Sequence, residues 1–197
     1  MPQVLKEYNF TYDNIKCISD KQFNVHVELY KGYITKINEI TLKLHEPGVT
    51  ADANATYSKY RGLKLGETYS LDGVILHELY FANLGGTHKE PYGQALELIN
   101  LQYGSYDAWK EDFIACGKAA RGWAVFAHDQ RSKSFRNFAC DAHDIGAIWT
   151  AYPLIVMDVY EHAYFVDYAN KKADYIKNFM EDIDWDVVNK RAGVIRV

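Results

Sequence analysis

Asp158-Val159-Tyr160-Glu161-His162 is the stretch on which the reading of this chain turns. It follows an apolar run, 148–157, that reads as a buried β-strand. An aspartate and a histidine four positions apart, released at a strand end, can both turn toward one point. A carboxylate oxygen and an imidazole nitrogen converging there suit iron, manganese or zinc. Taken alone, such a pair is more often a hydrogen-bonded core pair or a solvated turn.

Upstream, Ser19-Asp20-Lys21-Gln22 has a serine at the N-cap position and a glutamine three residues on, the capping-box pattern. The helix it opens carries Phe23, His26, Leu29, Tyr30, Tyr33, Ile37, Ile40 and Leu44 on one face and should stop before Pro47-Gly48. A second helix is expected over 51–65, ended by Gly66. A third, over 70–83, carries His77 and ends at Leu84-Gly85-Gly86, read as a helix stop followed by a flexible joint. This divides the chain into a helical hairpin, 1–86, and a second domain, 87–197. In that domain 91–101 and 105–119 read as helices, 123–128, 134–140 and 148–157 as strands, and 164–180 as a terminal helix. The fold class is α+β, with a small three-stranded antiparallel sheet whose first two strands form a hairpin.

A lone histidine on an apolar helix face is usually a satisfied core residue. His26 and His77 on antiparallel neighbours, together with the Asp158/His162 pair, change that. Several buried imidazoles and a carboxylate without a cation would be poorly satisfied. The four side chains are therefore expected on one ion. The donor set has no thiolate and suits iron or manganese, with zinc open by ligand type. His45, His88 and His128 are expected in solvent.

Bulk properties narrow the class. Apolar residues make up 48% of 197, enough for a core, and a net charge of -4 gives no reason to expect nucleic acid or an anionic membrane as partner. Cys17, Cys116 and Cys140 are an odd number without C-x-x-C spacing, against a disulfide framework or thiolate site. No segment after Met1 has signal-peptide character and none approaches a membrane span, so the expectation is a soluble, cytoplasmic protein.

Asp158-Val159-Tyr160-Glu161-His162-Ala163-Tyr164 closely resembles the Asp-Val-Trp-Glu-His-Ala-Tyr signature of the iron/manganese superoxide dismutases, with Tyr160 where Trp is usual. Leu76 through Gly85 looks like that family's second-ligand helix, Arg121-Gly122-Trp123-Ala124 like its Gly-Trp-Ala strand, and Ser19 through His26 like its first-ligand helix. The resemblance covers nearly the whole chain. It implies dismutation of superoxide to dioxygen and hydrogen peroxide by one iron or manganese ion per subunit, cycling between the +3 and +2 states. His26, His77, Asp158 and His162 would be the ligands, and Glu161 would bond the neighbouring subunit's ligand histidine in a homodimer, a tetramer being left open. Tyr164, Phe165 and Trp123 would complete the dimer contact and the ligands' surroundings, with Phe126 and Trp185 as further cavity lining.

Three departures stand out. The family's glutamine beside the metal-bound solvent is missing from both of its positions: Gly73 stands at one, and His143 falls at the other. The family's gateway histidine is Tyr30 here. Tyr33 follows His26 by seven positions, one fewer than is common, so a regular helix without a bulge brings it to the His26 face and makes it the expected gateway phenol. The signature's second tyrosine is Phe165, so an aromatic Tyr30–Phe165 contact between subunits would replace a polar one. Lys172 falls where a cation would steer the superoxide anion. Two competing readings remain: a metal-binding or structural relative with altered catalysis, and a different non-haem metal enzyme such as a hydrolase.

Overall fold

The computed structural model describes residues 2–195. Residues 2–18 form an arm without regular secondary structure that lies against both halves of the chain. Buried Asp182 fixes it by accepting the backbone N–H groups of Lys16 and Cys17 at 3.0 and 3.1 Å.

Helix α1 spans Asp20–Leu44 and α2 spans Lys59–Ala82; the two pack as a hairpin. Ser19 caps α1 by accepting the Gln22 N–H. The Gln22 side chain does not close the capping box. It is buried and bonds elsewhere, as described below. The two helices expected over 51–65 and 70–83 are corrected to one. Residues 51–58 are turns and bends, in which the Asn54 side chain accepts the Thr56 and Tyr57 N–H groups, and Ser58 caps α2. Gly66 does not stop the helix. A Cβ there would stand 3.2 Å from Ile40 Cδ1, so the glycine lets α1 approach. That packing overrides an intrinsic helix cost of about 1 kcal/mol.

The expected flexible joint at Gly85-Gly86 is instead clamped. The Gly86 N–H donates to the Asp182 carbonyl, and a Cβ on Gly86 would strike the Ile183 carbonyl at 2.1 Å. Helices α3, Gly93–Tyr103, and α4, Tyr106–Ala119, then lead into strands β1, Trp123–Asp129, β2, Ser134–Cys140, and β3, Ala151–Asp158. The sheet order is β2-β1-β3, antiparallel throughout. As the middle strand, β1 is buried along its whole length, so His128 is buried against Phe135 and not in solvent as expected. The third strand starts three residues later than its apolar run, because 145–150 forms a loop in which Trp149 is fully exposed.

The single terminal helix expected over 164–180 is broken. A 3-10 turn, Glu161–Ala163, leads into α5, Phe165–Tyr168, and then α6, Lys172–Met180. Ala169, at φ 49°, makes the break. Tyr164, Tyr168, Tyr175 and Phe179 keep a helical spacing across it, which is why periodicity does not reveal it. A last helix, α7 over Trp185–Ala192, was not anticipated. Its Arg191 donates to the carbonyls of Leu154 and Leu79 and so ties β3 to the end of α2.

Candidate metal centre

The centre lies where α1, α2 and the end of β3 meet. β1 and β3 pair with Trp123 opposite Asp158, which fixes the carboxylate at the sheet's end. One ligand-capable atom each of His26, His77, Asp158 and His162 lies within 4.8 Å of the others. Nε2 of His26 and of His162 each stand 3.1 Å from Asp158 Oδ2, and Nε2 of His77 stands 3.7 Å from it. Bonds of about 2.1 Å set at right to trigonal angles around one ion put neighbouring donors about 3.0–3.6 Å apart. The cluster therefore already has the spacing of a coordination shell.

The hydrogen bonds behind the donors favour the same reading. Asp158 Oδ1 accepts the Tyr160 backbone N–H at 2.9 Å, which leaves Oδ2 facing the three imidazoles. His77 Nδ1 donates to the Gly73 carbonyl at 2.6 Å, so Nε2 carries the lone pair and points inward. That Nε2 is buried without a hydrogen-bond partner. A buried acceptor left empty is costly, and a cation would satisfy it. Burial lowers the His26 imidazole. Burial, and then the neighbouring His26, push His77 down to about 3. Both are thus neutral and ready to bind. His162 moves the other way: burial opposes its charge, but Asp158 outweighs burial. Burial acts to raise the Asp158 carboxyl, yet His162 and His26 hold it far below its ordinary value.

Outside this cluster lies a chain of hydrogen bonds. Trp123 Nε1–H donates to His143 Nδ1 at 2.9 Å. The remaining ring nitrogen, Nε2, then carries the proton and donates to the Tyr33 hydroxyl at 2.7 Å. Helix α1 is a regular helix without a bulge from end to end, so Tyr33 returns to within about 20° of the His26 face. Its ring lies 5.3 Å from that of His77. Burial, and then nearby Tyr69, raise the Tyr33 phenol and keep it protonated. His143 is 3% exposed, and burial holds it down to about 4. At Gly73 a Cβ would stand 3.0 Å from Tyr33 Cδ1 and 3.3 Å from His143 Cδ2. These two rings fill the space that a larger residue on α2 would need.

The other expected site residues lie around this core. Tyr30 is fully buried. Its hydroxyl donates to Glu78 at 2.8 Å and accepts the Tyr8 N–H at 3.0 Å, so both of its bonds are spent away from the ligands. Phe165 is 52% exposed near the ligand loop, and Glu161 is exposed beside His162. Tyr164 is buried and stacks on Tyr175. Tyr160 stacks on His162, with ring centres 5.1 Å apart and 18° between planes. Gly122 makes room for it, since a Cβ there would stand 2.9 Å from Tyr160 Cε2. Lys172 lines a cavity of about 610 Å³ with Lys118, Arg121, Glu161 and His162, but its ammonium donates to the Ala120 carbonyl at 2.6 Å. Trp123 packs edge-on against His77, whereas Phe126 and Trp185 pack around Trp109.

Two positioning residues escaped the sequence reading. Buried Gln22 donates to the His162 carbonyl at 2.7 Å and accepts the Val166 N–H at 3.0 Å, pinning the ligand loop to α1. Asn83 accepts the Val156 N–H at 2.9 Å and donates to the Tyr80 carbonyl, tying β3 to α2. Gln22 looked like a capping residue, and Asn83 like a helix end. Nothing local in the sequence distinguishes either one.

A family model described as "Iron/manganese superoxide dismutases, C-terminal domain" matches residues 91–191. The chain is 43% identical over 182 residues to "Superoxide dismutase [Fe]" of Aquifex pyrophilus, covering 90% of this chain and 85% of that protein. It is 34% identical over 182 residues to "Superoxide dismutase [Mn] 2" of Haloferax volcanii, covering 90% of this chain and 88% of that one. To "Superoxide dismutase [Mn] 1" of Halobacterium salinarum it is 34% identical over 188 residues, covering 92% and 90%.

Proposed function

The chain belongs to the iron/manganese superoxide dismutase family, and from that premise we propose that His26, His77, Asp158 and His162 hold its ion while Tyr33 and His143 govern proton delivery beside it. The reaction consumes two superoxide anions and two protons and yields one dioxygen and one hydrogen peroxide. When bound, the ion supplies the one-electron chemistry by alternating between the +3 and +2 states.

The protein's part is to bind, orient and supply protons. Three neutral Nε2 lone pairs and one carboxylate oxygen make a harder donor set than any thiolate site, and iron and manganese accept it. The Tyr160 amide and the Gly73 carbonyl keep Asp158 and His77 from rotating away. His143 gives its single N–H to the Tyr33 oxygen, so the phenolic proton is free for an anion in the cavity. That proton is one of the two that hydrogen peroxide requires; solvent supplies the other and reprotonates Tyr33.

Exposed Glu161, Phe165 and Val166 flank His162, and we assign them to the face that a second copy of the chain covers in a homodimer. Iron and manganese both fit, the 43% identical relative being an iron protein by name and the 34% identical ones manganese.

The convergence of four donors within 4.8 Å carries this reading. Elemental analysis of the protein as isolated, paired with a superoxide assay, tests it. His77→Ala should lose metal and activity together. A metal-free variant that still dismutes superoxide would overturn the assignment.

A further inference from the structure

Helix α2 carries Tyr69, Gly73 and His77 in four-residue steps along one side. Gly73 is a notch in that side. The rings of Tyr33 and His143 sit in it, near enough that a Cβ would touch both. On the inner edge stands His77, with ring centres 5.3 Å from Tyr33 and 5.9 Å from His143. On the outer edge stands Tyr69, 4.5 Å from His143 and 6.2 Å from Tyr33. The pair that carries the proton is thus clamped between a metal ligand and a second tyrosine.

Tyr69 also packs on His143 and reaches solvent. It is 38% exposed, while His143 beneath it is 3% exposed. Its hydroxyl lies close enough to raise the phenols of Tyr33 and Tyr160. With His143 the contact is ring against ring. Removing the ring would free the outer face of His143 and widen the space beside the Tyr33 hydroxyl.

We propose that Tyr69 is a positioning residue of the dismutase site, holding the Tyr33–His143 pair in its notch and setting the width of the mouth through which anions reach the four donors. The proposal rests on the reading of those donors as a metal site. Metal content of the wild-type protein, measured first, distinguishes failure of that reading from failure of this one.

The test compares Tyr69→Ala and Tyr69→Phe in the metal-loaded full chain. Azide and the longer thiocyanate are titrated separately and followed by optical absorption. Alanine is the best helix former and the site is part-exposed, so the Ala variant should fold and keep its metal. An aromatic contact of this kind corresponds to about a two- to tenfold change in binding. Tyr69→Ala should shift the thiocyanate-to-azide affinity ratio toward thiocyanate by about that factor and lower kcat more than KM. Tyr69→Phe should match wild type in both. If the Ala variant does not fold, Tyr69→Leu, apolar but without a planar ring, takes its place with the same expected shift. Unchanged anion ratio and kcat in the variant lacking the ring overturn the proposal. So does a Phe variant that behaves like it, because the hydroxyl would then be the acting group.

Discussion

The indole N–H of Trp123 donates to Nδ1 of His143, and this one bond sets the direction of the hydrogen bonds beyond it. An indole nitrogen can only donate, so Nδ1 must accept and Nε2 must hold the proton. Tyr33 therefore accepts from His143 and keeps its own proton to give. Trp123→Phe keeps the ring and removes the donor. Nδ1 can then take a proton, and His143 can present either tautomer to Tyr33. The expected result is unchanged metal content and a loss of kcat within the about 10- to 100-fold range of outer-shell changes at metal sites. The pH profile of kcat should also gain an acid limb that wild type lacks. A profile that superimposes on wild type would remove Trp123 from the proton chain.

Gly73→Ala sets two effects against each other. Alanine favours the helix by about 1 kcal/mol over glycine. Its Cβ, however, would stand 3.0 and 3.2 Å from two Tyr33 ring atoms and 3.3 Å from His143 Cδ2. Those rings are pinned by their mutual hydrogen bond and must shift by a few tenths of an ångström. The thermal midpoint should change little while activity falls several-fold. Stability and activity rising together would show that the notch is not occupied as described.

Tyr30 and Tyr33 should separate cleanly when each is replaced by Phe. The Tyr30 hydroxyl joins α1, α2 and the N-terminal arm through Glu78 and Tyr8. Its loss leaves a half-buried carboxylate and a backbone donor short of a partner, at a cost of about 1–3 kcal/mol in stability, with turnover nearly kept. Tyr33→Phe should do the reverse, because its hydroxyl serves the site and not the helix packing. Chemical denaturation and steady-state assays on the two variants check the pair. Equal effects on turnover would dismiss this division of labour.

How far the sequence foretold all this depends on the range of the signal. The 158–162 stretch is a local pattern, and β1–β3 pairing places it at the sheet's end as its apolar run suggests. Tyr33 could be assigned to the His26 side because seven residues make nearly two full turns and the helix has no bulge. The merged α2 was hidden because the packing of Gly66 against Ile40 is a contact between helices, invisible to a glycine-as-stop rule. His128 was misplaced because strand ends are exposed only at sheet edges, and β1 is the middle strand. Gln22 and Asn83 act on partners 140 and 73 positions away, where no local pattern reaches.

The last prediction concerns pH and the protein stripped of metal. Burial lowers His26, pushes His77 down to about 3 and holds His143 down to about 4, all below the ordinary histidine value near 6.5. For each, the unfolded chain binds a proton more readily than the folded one as pH falls below about 6.5, so stability drops with pH. That loss continues down to the folded values, near 4 for His143 and near 3 for His77. His162 is shifted upward and acts oppositely, adding stability at acid pH that is lost as pH rises through its folded value. His128 is lowered by burial as well, and four lowered histidines against one raised leave a net loss between about pH 6.5 and 4. Asp158, held far down, adds its own loss from about pH 5 downward. The thermal midpoint of metal-free protein should therefore fall steadily over that window. His143→Gln, which keeps a donor and an acceptor but cannot titrate there, should make the fall shallower. A midpoint that holds flat from pH 6.5 to 4 in the metal-free wild type would mean that these imidazoles are not buried neutral in the fold.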